Sequence, residues 1–214
     1  MAGPGTQPHP HREARPRGRP RGFDRRAALR HAMEVFWVRG FDACSISDLG
    51  DAMGINSPSL YAAFGSKEAL FREAVELYVD GEGGAAMRQL LAHESVRDGV
   101  RAMLRTSAEL FAGARPARGC MIFLGGANVG AEHEDLRAFL RSLRRKASTT
   151  IGERFAHAKA TGELAASADP KALASLCITV FAGLSVEAVD GVRRAVLFDA
   201  IDQFIDGLPW RKRA

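Results

Sequence analysis

Cysteine is scarce here, with Cys44, Cys120 and Cys177 the only three in 214 residues. An odd number, widely spaced, gives neither a disulfide framework nor metal-ligand spacing, and fits buried thiols in the reducing cytoplasm. No run approaches the roughly 18 apolar residues of a membrane helix. No apolar segment follows the N-terminal charges, as it would in a secretory signal, and Pro and Gly there spoil the amphipathic helix of a transit peptide. No stretch alternates polar and apolar residues long enough for a convincing strand. GxSxG, HExxH and a P-loop are all missing, and "GEGGAA" and "GGANVG" lie in helical surroundings rather than after a strand. His93 and His133 have acidic neighbours, which solvated helix ends explain. These absences argue against an enzyme, a metal site and any bound cofactor.

What is present is ordinary in bulk and uneven in detail. Hydrophobic residues make up 46% and charged residues 26% of the chain, as in soluble globular proteins, and the length suits one large domain or two small ones. The net charge is +5. Residues 1–40 hold nine arginines against three acids, so the rest of the chain is nearly neutral. A positive end on a neutral body points to an acidic partner, nucleic acid before membrane. Residues 1–22 are Pro, Gly, Arg and His with almost no large apolar side chain. They read as an arm that is unfolded when alone.

Helical periodicity begins at Asp24, a fitting N-cap, with Leu29, Ala32, Met33, Phe36 and Trp37 on one stripe and Gly40 as the stop. In "CSISDLGDAMGINSPSLYAAFGSKEALFREAVELY", Ser45 and Asp48 form a capping-box start, and Gly54 ends a helix of about two turns. Asn56 caps the next, Pro58 occupies its first turn, and Gly65 closes it. Ser66 then caps a longer helix. Two helices this short, joined by a tight turn, cannot bury themselves, so the spacing predicts a helix-turn-helix within a small helical module.

Beyond "DGEGGAA" the segments lengthen. Ser95 caps one, "RPARG" breaks it, and "HEDLRAFLRSLRRKASTTIGERFAHAKATGEL" predicts a long helix with Gly152 as a soft point. Asp169 and Pro170 mark a clear helix start, and a last helix spans about 192–208. The fold class is all-α. An N-terminal helix-turn-helix domain (23–66) follows the arm. A connecting helix (67–83) leads to a larger helical domain (84–210).

Residues 25–78, above all "SISDLGDAMGINSPSLYAAFGSKEALF", resemble the DNA-binding domain of the TetR/AcrR family of bacterial transcriptional regulators. The resemblance implies a cytoplasmic homodimer on a double-stranded operator, released by a small-molecule effector, with no membrane partner. Ser57, Pro58 and Ser59 then form the bare leading turn of the recognition helix. Ala62 and Ala63 leave direct base readout modest and give DNA shape more weight. Tyr61 matches the family's phosphate-contacting tyrosine and Lys67 a phosphate contact at the next helix start, with Ser45, Asn56 and Ser66 caps first and backbone contacts second. Arg17, Arg19 and Arg21, in "RGRPR", resemble the Gly-Arg-Pro core of an AT-hook. Minor-groove insertion, loose phosphate contact and an idle tail all stay open for them.

By the same resemblance, Val180, Phe181, Leu184, Ala188, Leu197, Ile201 and Phe204 lie near the two-fold of an intersubunit four-helix bundle. Phe111, Met121, Phe123, Asn128, Phe139, Phe155 and Cys177 are candidates to line the effector pocket. The basic run over 137–146 reads as solvated surface. A rival reading is an architectural or non-sequence-specific DNA binder using the arm. Activation in place of repression also stays open.

Overall fold

The computed structural model describes residues 24–113, 116–126 and 129–211. Helix α1 (Arg25–Arg39) starts where Asp24 Oδ1 accepts from the N–H groups of Arg26 and Ala27, both at 3.0 Å. Ala28, Leu29, Ala32, Met33, Phe36 and Trp37 form its buried side. Helices α2 (Ile46–Met53) and α3 (Ser57–Phe64) have eight residues each, and α4 (Lys67–Asp80) closes the unit. Its centre is aromatic. Phe71 of α4 meets Phe36 edge-on at 4.9 Å and Phe41 at 5.2 Å.

An eight-residue helix is unstable alone. Here α3 is held by Leu60 and Phe64, which are closed off against the rest of the unit. Burying each contributes about 1.5–3 kcal/mol, enough to fix the helix while leaving its other faces open.

The second part comprises α5 (Ala85–Ala92), α6 (Val96–Gly113), a 3-10 turn (Ala131–His133), α7 (Glu134–Ala160), α8 (Pro170–Val189) and α9 (Arg194–Gly207). Among the described residues there is no strand, only an isolated bridge between Leu164 and Trp210. Helix α6 packs on α5, α8 and α9, and α7 packs along α8. Asp169 caps α8 through the Lys171 N–H at 2.9 Å, with Pro170 in the first position as the sequence predicts. Helix α7 runs unbroken through Gly152, which lies close to Ala174. A Cβ there would meet the Ala174 methyl at an ordinary 3.7 Å, so packing does not require the glycine, and the helix is continuous at the expected soft point.

One sequence expectation needs correcting. Helix α8 is long and apolar enough to cross a membrane, with a mean hydropathy of 1.9. Small residues interrupt its large apolar ones, so no conspicuous run announces it. The helix is apolar on two sides. Ala174, Cys177, Leu184 and Ala188 face the core, while Leu176, Val186 and Val189 are each close to half exposed.

The two parts meet in a built junction. Trp37 Nε1 donates to Gly119 O at 2.8 Å, and Tyr78 Oη donates to Cys120 Sγ at 3.7 Å. Arg118 pairs with Glu34 and lies 4.4 Å from the Trp37 ring centre. Gly83 and Gly84, which follow α4, leave no room for a Cβ against the Tyr78 ring and Val79 O. Those glycines permit close packing there.

Candidate nucleic-acid interface

The turn between α2 and α3 is Gly54–Ile55–Asn56, with Gly54 in the left-handed conformation at φ 68°. It folds back so tightly that a Cβ on Gly50 would meet Ile55 O at 2.7 Å. Asn56 Oδ1 then accepts the Ser59 N–H at 2.9 Å and sets the start of α3. Beyond that cap, Ser57, Pro58 and Ser59 are all exposed, as is Ala62. Tyr61 keeps 48% of its surface open. This helix end carries small side chains and is anchored from behind by Leu60 and Phe64. Such a surface can approach base edges in a major groove, with backbone phosphates taken by flanking donors.

Lys67 opens α4 beside it, half-buried, with Nζ 4.4 Å above the Phe41 ring centre. Ser66 caps that helix through the Ala69 N–H at 3.0 Å. The 3-10 turn of the second part touches the same place. His133 Nδ1 lies 3.3 Å from Glu68 Oε1 and its ring is edge-on to Phe41 at 4.9 Å. Gly130 N–H donates to Asp42 Oδ2 at 2.8 Å. The neighbours of Lys67 are therefore bonded directly to the C-terminal part.

Ser45 is more occupied than the sequence suggests. Its Oγ accepts the Asp48 N–H at 3.0 Å and donates to Asp48 Oδ2 at 2.5 Å, while its own N–H donates to the same carboxylate at 2.9 Å. Arg39 Nη1 adds a bond to Asp48 Oδ1 at 3.0 Å. The Ser45 hydroxyl and N–H, with Arg39, hold the Asp48 carboxyl at about 2, well below its usual range. Ser45 is thus a cap first, with its hydroxyl proton directed to Asp48. Arg17, Arg19 and Arg21 lie outside the described residues.

Two family descriptions match the chain: "Bacterial regulatory proteins, tetR family" over residues 28–74, and "Tetracyclin repressor-like, C-terminal domain" over residues 97–189. The HTH-type transcriptional repressor ComR of Escherichia coli K12 is 32% identical over 176 residues, covering 82% of this chain and 84% of ComR. The chain belongs to the TetR family. Among solved TetR structures, a cysteine mutant of the regulator CifR, complexed with 26-base-pair double-strand operator DNA, superposes with a TM-score of 0.83 at 41% identity. That match covers 90% of this chain and all of that one. A TetR regulator from Rhodococcus sp. RHA1 matches with a TM-score of 0.58 at 36% identity, over 86% of this chain and 98% of that one.

Within the TetR fold, the residues expected to line an effector pocket divide between closed core and partly open positions. Phe111, Met121, Phe155 and Cys177 are closed core, and burial pushes the Cys177 thiol up to about 12. Phe111 meets Phe181 edge-on at 5.4 Å, and Phe123 is tilted against the same ring at 5.1 Å. Phe155 instead pairs with Trp210, and Phe139 lies under Arg72 of α4 at 4.8 Å. Asn128 lies outside the described residues. Aromatic side chains at helical spacing fill a helical core as readily as they line a pocket; Phe111 and Phe155 are core, while Phe123 and Phe139 stay partly open.

The residues expected at the two-fold divide likewise. Leu184, Ala188, Leu197 and Ile201 are buried within the single chain, so they have no surface left to offer a partner. Val180, Phe181 and Phe204 are partly open. The outward apolar side chains that sequence reasoning missed are Leu176, Val186 and Val189 on α8 and Val196 on α9. The first three form a second apolar side of α8, opposite the one that faces the core.

Proposed function

We propose that this protein is a homodimeric, effector-responsive repressor whose α3 reads an operator half-site. The observation that carries the reading is the exposed Ser57–Pro58–Ser59 turn on a helix anchored by Leu60 and Phe64. Ser57 and Ser59 hydroxyls suit either kind of base pair, Pro58 suits a thymine methyl, and Tyr61, Asn56 and Lys67 suit phosphates. Arg17, Arg19 and Arg21 precede α1 and add cationic contacts to the backbone or minor groove.

One recognition helix covers too few base pairs for specificity, so two copies are needed, with their α3 helices about 34–36 Å apart. The outward apolar residues of α8 and α9 are the natural surface for that pairing. An effector bound in the C-terminal part acts by favouring a state with the wrong spacing. The contacts of Gly130 and His133 with Asp42 and Glu68, and of Arg118 with Glu34, are the route to the DNA-binding unit.

The test is selection of duplexes from fragmented bacterial genomic DNA by the full-length protein, followed by footprinting. The expected result is a short palindrome with half-sites one helical turn apart. Recovery of unrelated sequences without symmetry would overturn the reading and favour an architectural DNA binder. Glutamate at positions 176 and 186 should turn the dimer into monomers in sedimentation. A dimer that persists would put the interface elsewhere.

A further inference from the structure

We infer that Arg25 is a positioning residue for DNA reading, acting through the far end of the recognition helix. Its Nε and Nη2 both donate to Ala63 O at 3.3 Å. Nη2 also donates to Glu73 Oε1 at 2.7 Å, and the guanidinium lies 4.3 Å from the Phe64 ring centre. One side chain thus joins the start of α1, the end of α3 and the middle of α4.

The arrangement matters because of where α3 is otherwise weak. Its N-terminal end has the Asn56 cap and its middle has Leu60. The last carbonyls of any helix have no partner within it, and Ala63 O is one of these. Arg25 satisfies that carbonyl, covers the Phe64 ring that anchors the same turn, and is itself held in place by Glu73. At 1.5 Å per residue, α3 is about 12 Å long, so a tilt of roughly 10° at its C-terminal end moves the reading turn by about 2 Å. That displacement is large enough to break hydrogen bonds to base edges while leaving backbone contacts in reach. Arginine suits the task because its flat fork bonds two acceptors while its face covers an aromatic ring. Lysine offers only a point charge.

The inference rests on the proposed operator-binding function, and the experiment separates the two. The full-length wild type first selects a duplex from a random 26-base-pair library. If it selects none, the function fails and not merely the role of Arg25. Arg25→Ala, Arg25→Lys and Glu73→Ala are then compared with wild type on the selected duplex and on a scrambled one, at several salt concentrations, with the Tm of each measured. A positioning role predicts that all three variants lose about tenfold on the selected duplex. Affinity for the scrambled duplex and the salt slope should stay as in the wild type.

Glu73→Ala is the deciding variant. If Arg25 were instead a direct phosphate ligand, removing Glu73 would free it and tighten binding, and Arg25→Ala would reduce the salt slope by about 0.9 per protomer. Either result would overturn the inference. So would full rescue by Arg25→Lys, or an equal loss on both duplexes, which would mark a merely structural role. If Arg25→Ala fails to fold, Glu73→Ala and Arg25→Lys still decide the matter.

Discussion

Replacing both Ser57 and Ser59 by glutamate should have opposite effects on folding and on DNA binding. The two residues occupy the first and third positions of α3, where acidic side chains interact favourably with the helix dipole by about 0.3–1 kcal/mol each at low salt. Ser59→Glu also completes a capping box, because its carboxylate can reach back to the Asn56 N–H. Both side chains are exposed, so no core contact is lost and the Tm should hold or rise. On DNA the same charges face phosphates. Two carboxylates, each about 6 Å from one phosphate, cost about 1.4 kcal/mol together at the dielectric of water and about 5.5 kcal/mol at an effective dielectric of 20. Affinity for the selected duplex should therefore fall by at least about tenfold. Lost hydroxyl contacts and the added bulk deepen the loss. Fluorescence anisotropy at 100 mM salt, beside a thermal melt, measures both effects. A double variant that melts no earlier and still binds within about threefold of wild type would take α3 off the DNA and remove the basis of the regulator mechanism.

Lys67→Gln should weaken binding to selected and scrambled duplexes alike and reduce the slope of log K against log salt by about 0.9 per protomer. Tyr61→Phe should weaken binding without changing that slope, because a hydroxyl carries no charge. Glu163 closes the start of α6, accepting from the N–H groups of Val96 and Arg97 at 2.9 Å each and from the Ser95 hydroxyl at 2.8 Å. Burial alone would raise its carboxyl, but those bonds hold it below the usual range. Glu163→Ala leaves these part-buried donors without their carboxylate, at a cost of about 1 kcal/mol, seen as a Tm about 2–4 °C lower per kcal/mol. The depressed Asp48 carboxyl contributes stability that is present above the ordinary carboxylate range and is lost as pH falls through about 2. Carboxyl NMR titration should find it there, and Asp48→Asn should flatten that acid limb of the stability curve.

These predictions divide along the line that separates what the sequence reveals from what it hides. Caps and stops are short-range chemistry. Asp24, Ser45, Asn56, Ser66 and Asp169 each bond an N–H group two or three residues onward, so a reader of the chain can see both partners at once. The helix-turn-helix was legible for that reason, and so was its bare leading turn. The contacts that orient those helices join residues far apart: Arg25 to Ala63 and Glu73, Arg118 to Glu34, His133 to Glu68, Glu163 to Val96. Each uses a charged or polar side chain of a common type, some of them on a distant backbone group, and nothing local distinguishes an arginine that clamps a helix end from one that faces water.

The apolar residues pose a different problem. Helical spacing gives the angle between two side chains and leaves open what lies beyond either. In α8, Leu184 and Leu176 are chemically identical and eight residues apart, yet one is 4% exposed and the other 46%. A helix with one apolar stripe needs one neighbour, whereas a helix with two needs a neighbour on each side. In α8 the inner stripe is satisfied by the chain itself, which moves the expected two-fold contacts outward, from Leu184 and Ala188 to Leu176, Val186 and Val189. The pocket residues follow the same logic in reverse. Met121, Phe155 and Cys177 have no open side at all, so an effector could reach them only by parting helices that now touch. Binding through those residues would therefore have to move α6, α7 or α8, and movement of these helices is what the junction at Gly119, Gly130 and His133 would pass on to Trp37, Asp42 and Glu68.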